Sequence, residues 1–455
     1  MLQVTGAETP ALPMHSPSAG REPRLLSLLA PLRTMTGGGE VAFLASNAIV
    51  NVTNFGFFVL VGRLFTPDSY GAISALLSIT TIANTPLNAI QASVVDATIT
   101  RRALSGECSL RRVATILAAA GIVVAGIVVA LAPLIDRFFS LTSLLPVVML
   151  ALWFAPSIVN SALCGSLMGR LRFRPVAEAN VAGAVVRIAF VAVLGATHRA
   201  LGIAGPVFAT ALGISATSAW LGIVMRADDV WHRGRALELH LGRALWSLAC
   251  LSGCAALVGL DVVLARHLFP ASIAGGYAAS ATAGRIALFL PVAVPIIAYP
   301  RFVASKKRGS AGRPVLATAI VAVVVFGFLA AAVIAAAPHV VITVLFGHRY
   351  DSAAPLLRIL AFEAACLGVV SVLTYFHVAC RSIYGGVPWL GVATVTVVAA
   401  SGHLSSFGLA YLMLSVSGVV AVAMAVPALV SKQGTEVSEP AADGATPNPG
   451  PDGFT

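Results

Sequence analysis

Long apolar runs separated by short polar segments recur along almost the whole chain. Twelve of them reach the roughly 20 residues that an α-helix needs to cross about 30 Å of hydrocarbon. They fall at 40–62, 70–97, 113–135, 144–168, 176–197, 201–225, 244–267, 273–299, 314–337, 353–379, 384–401 and 404–430. The runs are continuous, without the alternation over about 10 residues that marks a membrane β-strand. The pattern predicts an all-α polytopic membrane protein. Outside it, residues 1–39 read as a cytoplasmic tail with a short interfacial helix, because the stretch at 25–32 is too short for a signal peptide and lacks a small-residue cleavage site. Residues 431–455 hold almost nothing to bury and read as a disordered cytoplasmic tail.

The runs are organised in two copies. Arg63-Leu64-Phe65-Thr66-Pro67 returns as Arg266-His267-Leu268-Phe269-Pro270, an offset of 203 (266 − 63). Pro86 is matched by Pro291, and Ala132-Pro133 by Ala337-Pro338, both 205 apart. Ser161-Ala162-Leu163 before Arg170 is echoed by Ser371-Val372-Leu373 before Arg381. A collinear repeat of this length is far too long for a solenoid and is typical of transporters. Six spans per copy bring both halves into the membrane the same way round. We therefore expect two six-helix bundles related by a pseudo-two-fold axis along the membrane normal, with lobes at 40–226 and 244–430 and a cytoplasmic linker at 227–243.

Composition agrees with immersion in lipid: 58% of residues are hydrophobic, 10% are charged and the mean hydropathy is +0.92. The net charge of +11 looks like a nucleic-acid signal until the basic residues are placed. With both termini inside, 21 of the 29 Lys and Arg fall in inner segments, and only Arg63, Arg137, Arg199, Arg266 and Arg349 fall in outer ones. This is the positive-inside bias. It predicts cytoplasmic N- and C-termini and basic loops beside anionic lipid headgroups, with no nucleic-acid partner.

Polar groups inside the spans carry the candidate chemistry. Asn47, Asn51 and Asn54 share one face of the first span, and Asn84, Asn88 and Gln91 repeat the device in the second. Six amides on adjacent helices form either interhelical glue or the wall of a wet cavity, and the number exceeds what glue requires. Ionisable residues are costlier to insert and face protein or water. Arg187 sits mid-span with Asn180 and Gly183 on its face, and Arg285 lies midway through the eighth span near Thr282. Asp261 lies towards the outer end of the seventh, and Glu363 shares a face of the tenth with Ser371, Thr374 and His377. One account pairs these as internal salt bridges, such as Arg285 with Asp261 or Glu363. The other has Arg187 and Arg285 presenting guanidinium forks to a phosphate or diphosphate, with Asp261 and Glu363 gating or coupling. His377 reads as a hydrogen-bonded core histidine.

Pro86, Pro156, Pro206, Pro291, Pro295 and Pro388 fall within spans and predict kinks, symmetric ones at Pro86 and Pro291. The six cysteines are scattered and read as small packing residues, so no metal or redox site is expected. No phosphate-cradling loop or catalytic constellation occurs, and the outer loops are too short for a membrane glycosyltransferase or polymerase. The chain is expected to be no enzyme and to need no cofactor. Energy for transport would come from an H+ or Na+ gradient, from voltage or from the substrate's own gradient.

Three segments carry a family resemblance. Gly62-Arg63-Leu64-Phe65-Thr66-Pro67-Asp68-Ser69-Tyr70-Gly71 resembles the first-hairpin signature of the Wzx-like oligosaccharide flippases, within the multidrug/oligosaccharidyl-lipid/polysaccharide exporter superfamily. Leu345-Phe346-Gly347-His348-Arg349-Tyr350, followed by 353–360, resembles the segment before their tenth helix, and 165–173 their loop after the fourth. The resemblance implies two bundles around a central cavity in a bacterial plasma membrane. It also implies alternating access that carries a polyprenyl-diphosphate-linked glycan from the inner to the outer leaflet for cell-surface polysaccharide. The implied partners are membrane lipid, the lipid-linked glycan, and a glycan polymerase or glycosyltransferases. Other relatives in the superfamily are ion-coupled exporters of drugs and small molecules, for which the acidic residues would be the primary site.

Overall fold

A computed structural model describes residues 38–103, 108–109, 111–196, 201–227, 235–236, 241–291, 294–295, 298, 302, 312–402 and 404–430. The tails, apart from Gly38 and Gly39, and most of the linker lie outside the described residues. The first lobe contains α1 (Gly38–Leu64), α2 (Pro67–Ala103), α3 (Arg111–Ala130), the short α4 (Ala132–Phe139), α5 (Leu145–Gly169), α6 (Phe173–Ala196) and α7 (Ala204–Ala227). The second contains α8 (Leu241–Leu268), α9 (Ala271–Gly284), α10 (Ile286–Phe289), α11 (Arg313–Ala336), the short α12 (Pro338–Phe346), α13 (Ala354–Cys380), α14 (Val387–Ala400) and α15 (Ser406–Val430). A two-residue parallel bridge joins Cys108–Ser109 to Arg235–Ala236.

Ten of these helices are long and apolar enough to cross a membrane, and Ala48–Leu64 forms a shorter apolar helix. With the interrupted α9–α10 segment they make the twelve spans of a multi-pass membrane protein. Lipid, rather than water, explains the outer surface: Val321, Val325, Leu329 and Val333 form an exposed stripe along α11, one turn apart. Leu316, Ala319, Val323, Ala331 and Ile334 point inward from the same helix.

The lobes repeat one packing scheme. In the first, α5 is central and packs on α2, α3 and α7, while α6 packs on α7 and α1. In the second, α13 packs on α9, α11 and α15, while α14 packs on α15 and α8. Element for element these are the same contacts, which is the structural form of the repeat. Both short helices start on an Ala-Pro pair, whose proline stands in the first turn where its missing N–H is unpaired in any helix.

The symmetry fails in the helix pairs along the seam between the lobes. α2 packs along α8, whereas the symmetry-related pair, α9 and α1, barely touches among the described residues. The matched prolines also differ. α2 runs unbroken through Pro86, but the eighth span, expected to be continuous over 273–299, breaks at Arg285 and ends its short second piece before Pro291. Gly284 brings α9 against the backbone of α13, where an added Cβ would lie 2.9 Å from the Leu360 carbonyl, and Arg285 then turns tightly, its carbonyl accepting from Leu288 N–H at 3.1 Å. The matched prolines thus sit in different local structure, Pro86 inside a continuous helix and Pro291 just beyond the end of a short one. Pro206 and Pro388 prove to lie in the first turns of α7 and α14, where they cost no helical hydrogen bond.

Candidate functional site

Each lobe carries one set of polar groups within its spans. In the first lobe, α6 and α7 approach through glycine: a Cβ on Gly183 would lie 2.0 Å from Thr217 Oγ1, and one on Gly213 would lie 2.8 Å from the Gly183 carbonyl and 3.1 Å from Arg187 Cβ. This close packing fixes the root of Arg187, nine residues or about 14 Å from the end of α6. Its Nη2 donates to Asn54 Oδ1 on α1. The guanidinium carbon lies 4.4 Å from the Phe57 ring centroid, a cation–π contact. Nε is buried without a partner, and no carboxylate lies within 4.0 Å among the described residues. Arg187 is therefore a mid-span cation with an amide and an aromatic face for company and no counter-charge.

The second lobe is the reverse. Arg285, at the break between α9 and α10, donates from Nη2 to Asp261 Oδ1 at 2.9 Å and to the Val258 carbonyl at 2.7 Å. Asp261 is 2% exposed and Arg285 15%. Glu363 on α13 is buried within electrostatic range of both, and its Oε1 has no partner among the described residues. The fully buried hydroxyl of Tyr277 on α9 is likewise unpartnered. Two carboxylates and one guanidinium leave one uncompensated negative charge when all are ionised. Thr282, three residues before Arg285, pairs its hydroxyl with that of Tyr70 across the lobes at 3.2 Å.

The amides divide differently from the expectation. α1 and α2 touch only sparingly, so the six do not line two adjacent helices. Asn54 is taken by Arg187, and Gln91 donates to Met168 Sδ on α5 at 3.1 Å. Asn51, Asn84 and Asn88 are exposed and make no side-chain hydrogen bond among the described residues. The side chain of Asn47 lies outside them. His377 is held by the Met424 carbonyl of α15 at 3.0 Å, a packing role. Thr374 bonds back to the Val370 carbonyl at 2.8 Å.

Arg187 and Arg285 thus belong to separate sets, one uncompensated and one already neutralised. Sequence reasoning missed Tyr277 and Tyr70. A tyrosine in an apolar run carries no signal of its own, and only the packing shows that one hydroxyl is stranded beside the charges while the other bridges the lobes.

A family model described as a polysaccharide biosynthesis protein matches residues 60–355. Among curated proteins, none matches the chain. Among solved structures, an inward-facing multidrug resistance MATE family transporter of the MOP superfamily superimposes with a TM-score of 0.64 at 12% identity, over 86% of this chain and 96% of its own. The eukaryotic MATE transporter AtDTX14 gives 0.60 at 16% identity, over 90% and 96%. A MOP superfamily transporter from Pyrococcus furiosus, described as having a binding pocket of reverse polarity that suggests a different function, gives 0.52 at 13%, over 85% and 93%. At these identities the likeness concerns the fold, and pocket chemistry has to select the substrate.

Proposed function

The chain belongs to the family of polysaccharide biosynthesis proteins, and from that membership we propose that it flips a polyprenyl-diphosphate-linked oligosaccharide across the bacterial plasma membrane by alternating access. The observation that carries the reading is Arg187. A guanidinium in mid-membrane without a carboxylate is costly unless a ligand completes it, and a diphosphate supplies both the charge and the planar pairs of acceptors that Arg suits. Asn51, Asn84 and Asn88 have open amides at span depth, where facing lipid would be unfavourable. They hydrogen-bond the sugars in a wet space between the lobes. The loosely packed seam between α1 and α9 leaves the polyprenyl tail in lipid while the head group travels inside. Arg285, neutralised by Asp261, gates and couples rather than holding phosphate.

A second reading, an ion-coupled exporter of cationic compounds, is favoured by the excess acid around Arg285 and by Glu363, whose Oε1 has no hydrogen-bond partner among the described residues. The two separate on Arg187. In cells relying on the variant alone, Arg187→Ala should stop surface glycan formation and pile up lipid-linked oligosaccharide on the inner leaflet, with the protein still at wild-type abundance in the membrane. Arg187→Lys, which keeps the charge without the fork, should retain part of the activity. Normal surface glycan in Arg187→Ala, with altered resistance to toxic cations, would replace the flippase by the exporter.

A further inference from the structure

The repeated Arg-Phe-Pro segments and the contact between the lobes are one structure. Arg63, in the last turn of α1, donates from Nε to the Leu345 carbonyl at 2.9 Å and from Nη2 to the Val344 carbonyl. These two carbonyls lie at the C-terminal end of α12, in the other lobe. Arg266, in the last turn of α8, donates from Nε to the Phe139 carbonyl at 3.0 Å and from Nη2 to the Ser140 carbonyl at 3.3 Å, at the end of α4 in the first lobe. Phe139 and Ser140 precede Val344 and Leu345 by 205 residues (344 − 139), the same offset as the Ala-Pro starts of the two short helices. Each lobe's arginine thus grips equivalent atoms of the other lobe.

The chemistry explains the residue types. The last carbonyls of a helix have no intrahelical donor and form the negative end of its dipole. A guanidinium's parallel N–H groups reach two successive carbonyls, which a lysine ammonium cannot do in fixed geometry. An aromatic completes each grip. His267 stacks on Phe138 at 4.0 Å and meets the Phe138 carbonyl through Nδ1 at 2.9 Å. On the other side the Tyr350 hydroxyl donates to the Gly62 carbonyl at 3.1 Å. The backbones also meet across the lobes: a Cβ on Gly71 would lie 2.8 Å from Gly275 N, and one on Gly275 would lie 1.9 Å from the Pro67 carbonyl. The side-chain hydrogen bonds that Arg63, Tyr70, Arg266, His267 and Tyr350 make between the lobes lie in the half of the bundle away from the chain termini.

We propose that these two reciprocal arginine clasps on helix ends form the gate at the end of the transporter away from its termini, and that both must release for the cavity to open there. The gate rests on the transport reading only in taking the lobes to part, so its test reads conformation and not glycan. Spin labels on Thr66→Cys and Ser272→Cys, exposed tips of the two lobes, report the gap by pulsed electron resonance in lipid vesicles, with the six native cysteines replaced. Each of Arg63→Ala and Arg266→Ala should raise the ratio of long to short distances about tenfold and the pair about a hundredfold, as expected for losing charge-assisted hydrogen bonds. Arg63→Lys with Arg266→Lys should fall between parent and alanine pair. A second label pair within the first lobe, Thr66→Cys and Leu201→Cys, should not change, and identifies any variant that has failed to fold. If the alanine pair misfolds, the lysine pair decides. A parent-like distance distribution in a folded double variant overturns the gate. An opened gate with unaltered surface glycan supports it and removes the proposed substrate instead.

Discussion

Within the spans, the decisive quantity is whether a charge has a partner. Asp261 and Arg285 are buried together at 2.9 Å, and removing one partner of such a pair strands the other at a cost of about 3–5 kcal/mol. Replacing both by apolar residues of similar volume costs far less. Arg285→Leu, which leaves both Asp261 and Glu363 without a cation, should therefore lower the thermal midpoint of the detergent-solubilised protein markedly, and Arg285→Leu combined with Asp261→Leu and Glu363→Gln should recover most of it. Equal losses in the single and triple variants would show that the three do not act as a cluster. The sequence marked Arg187, Arg285, Asp261 and Glu363 because charge in an apolar run is rare and conspicuous. It left open which pair would form, since hydropathy places a residue at a depth and says nothing about which helix faces it. The three exposed amides illustrate the same limit: helical spacing put Asn84 and Asn88 on one face of α2 but could not reveal that α1 lies elsewhere.

At the scale of the helix, small residues decide how close two spans come and hence where a functional side chain sits. Gly213 lets α7 reach the Gly183 carbonyl, and Arg187 Cβ lies beside the same contact. Gly213→Ala should cost about 1–3 kcal/mol by overpacking. Because the strain is released partly through Arg187, transport should fall more than a thermal shift of that size accounts for, as measured in vesicles at matched protein content. Unchanged transport in a destabilised variant would separate the helix contact from the cation. The spans themselves were legible to within a few residues, because hydrocarbon forces each crossing to be a continuous helix long enough to span it. The break at Arg285 was not legible, since it depends on Gly284 meeting the backbone of α13 and on the tight turn that follows. The short α4 was also merged into its neighbour, because a new helix starting at Ala132 continues the apolar run of α3 without a polar gap.

Across the whole molecule, two lobes with the same internal packing hold different buried charges among the described residues: Arg187 without a carboxylate in one, and Arg285 with both Asp261 and Glu363 in the other. The repeat provides a way to rock between access states, and its unequal contents provide something to move in each lobe. We expect the proposed transport cycle to draw on a gradient of H+, Na+ or substrate, or on membrane voltage. We propose that the excess acid of the second lobe senses it, because binding or releasing a cation changes the cost of burying Glu363 beside Asp261. Lobe rearrangement that alters this burial is then tied to ion occupancy. Transport of lipid-linked glycan in vesicles should accelerate when a proton or sodium gradient is imposed across them. Glu363→Gln, which keeps the shape and removes the charge, should abolish the acceleration while leaving the slow exchange driven by substrate alone. A parent protein whose rate is the same with and without both gradients, or a Glu363→Gln variant that still responds to them, would take the coupling role away from this cluster and leave substrate concentration or membrane voltage as the driving force.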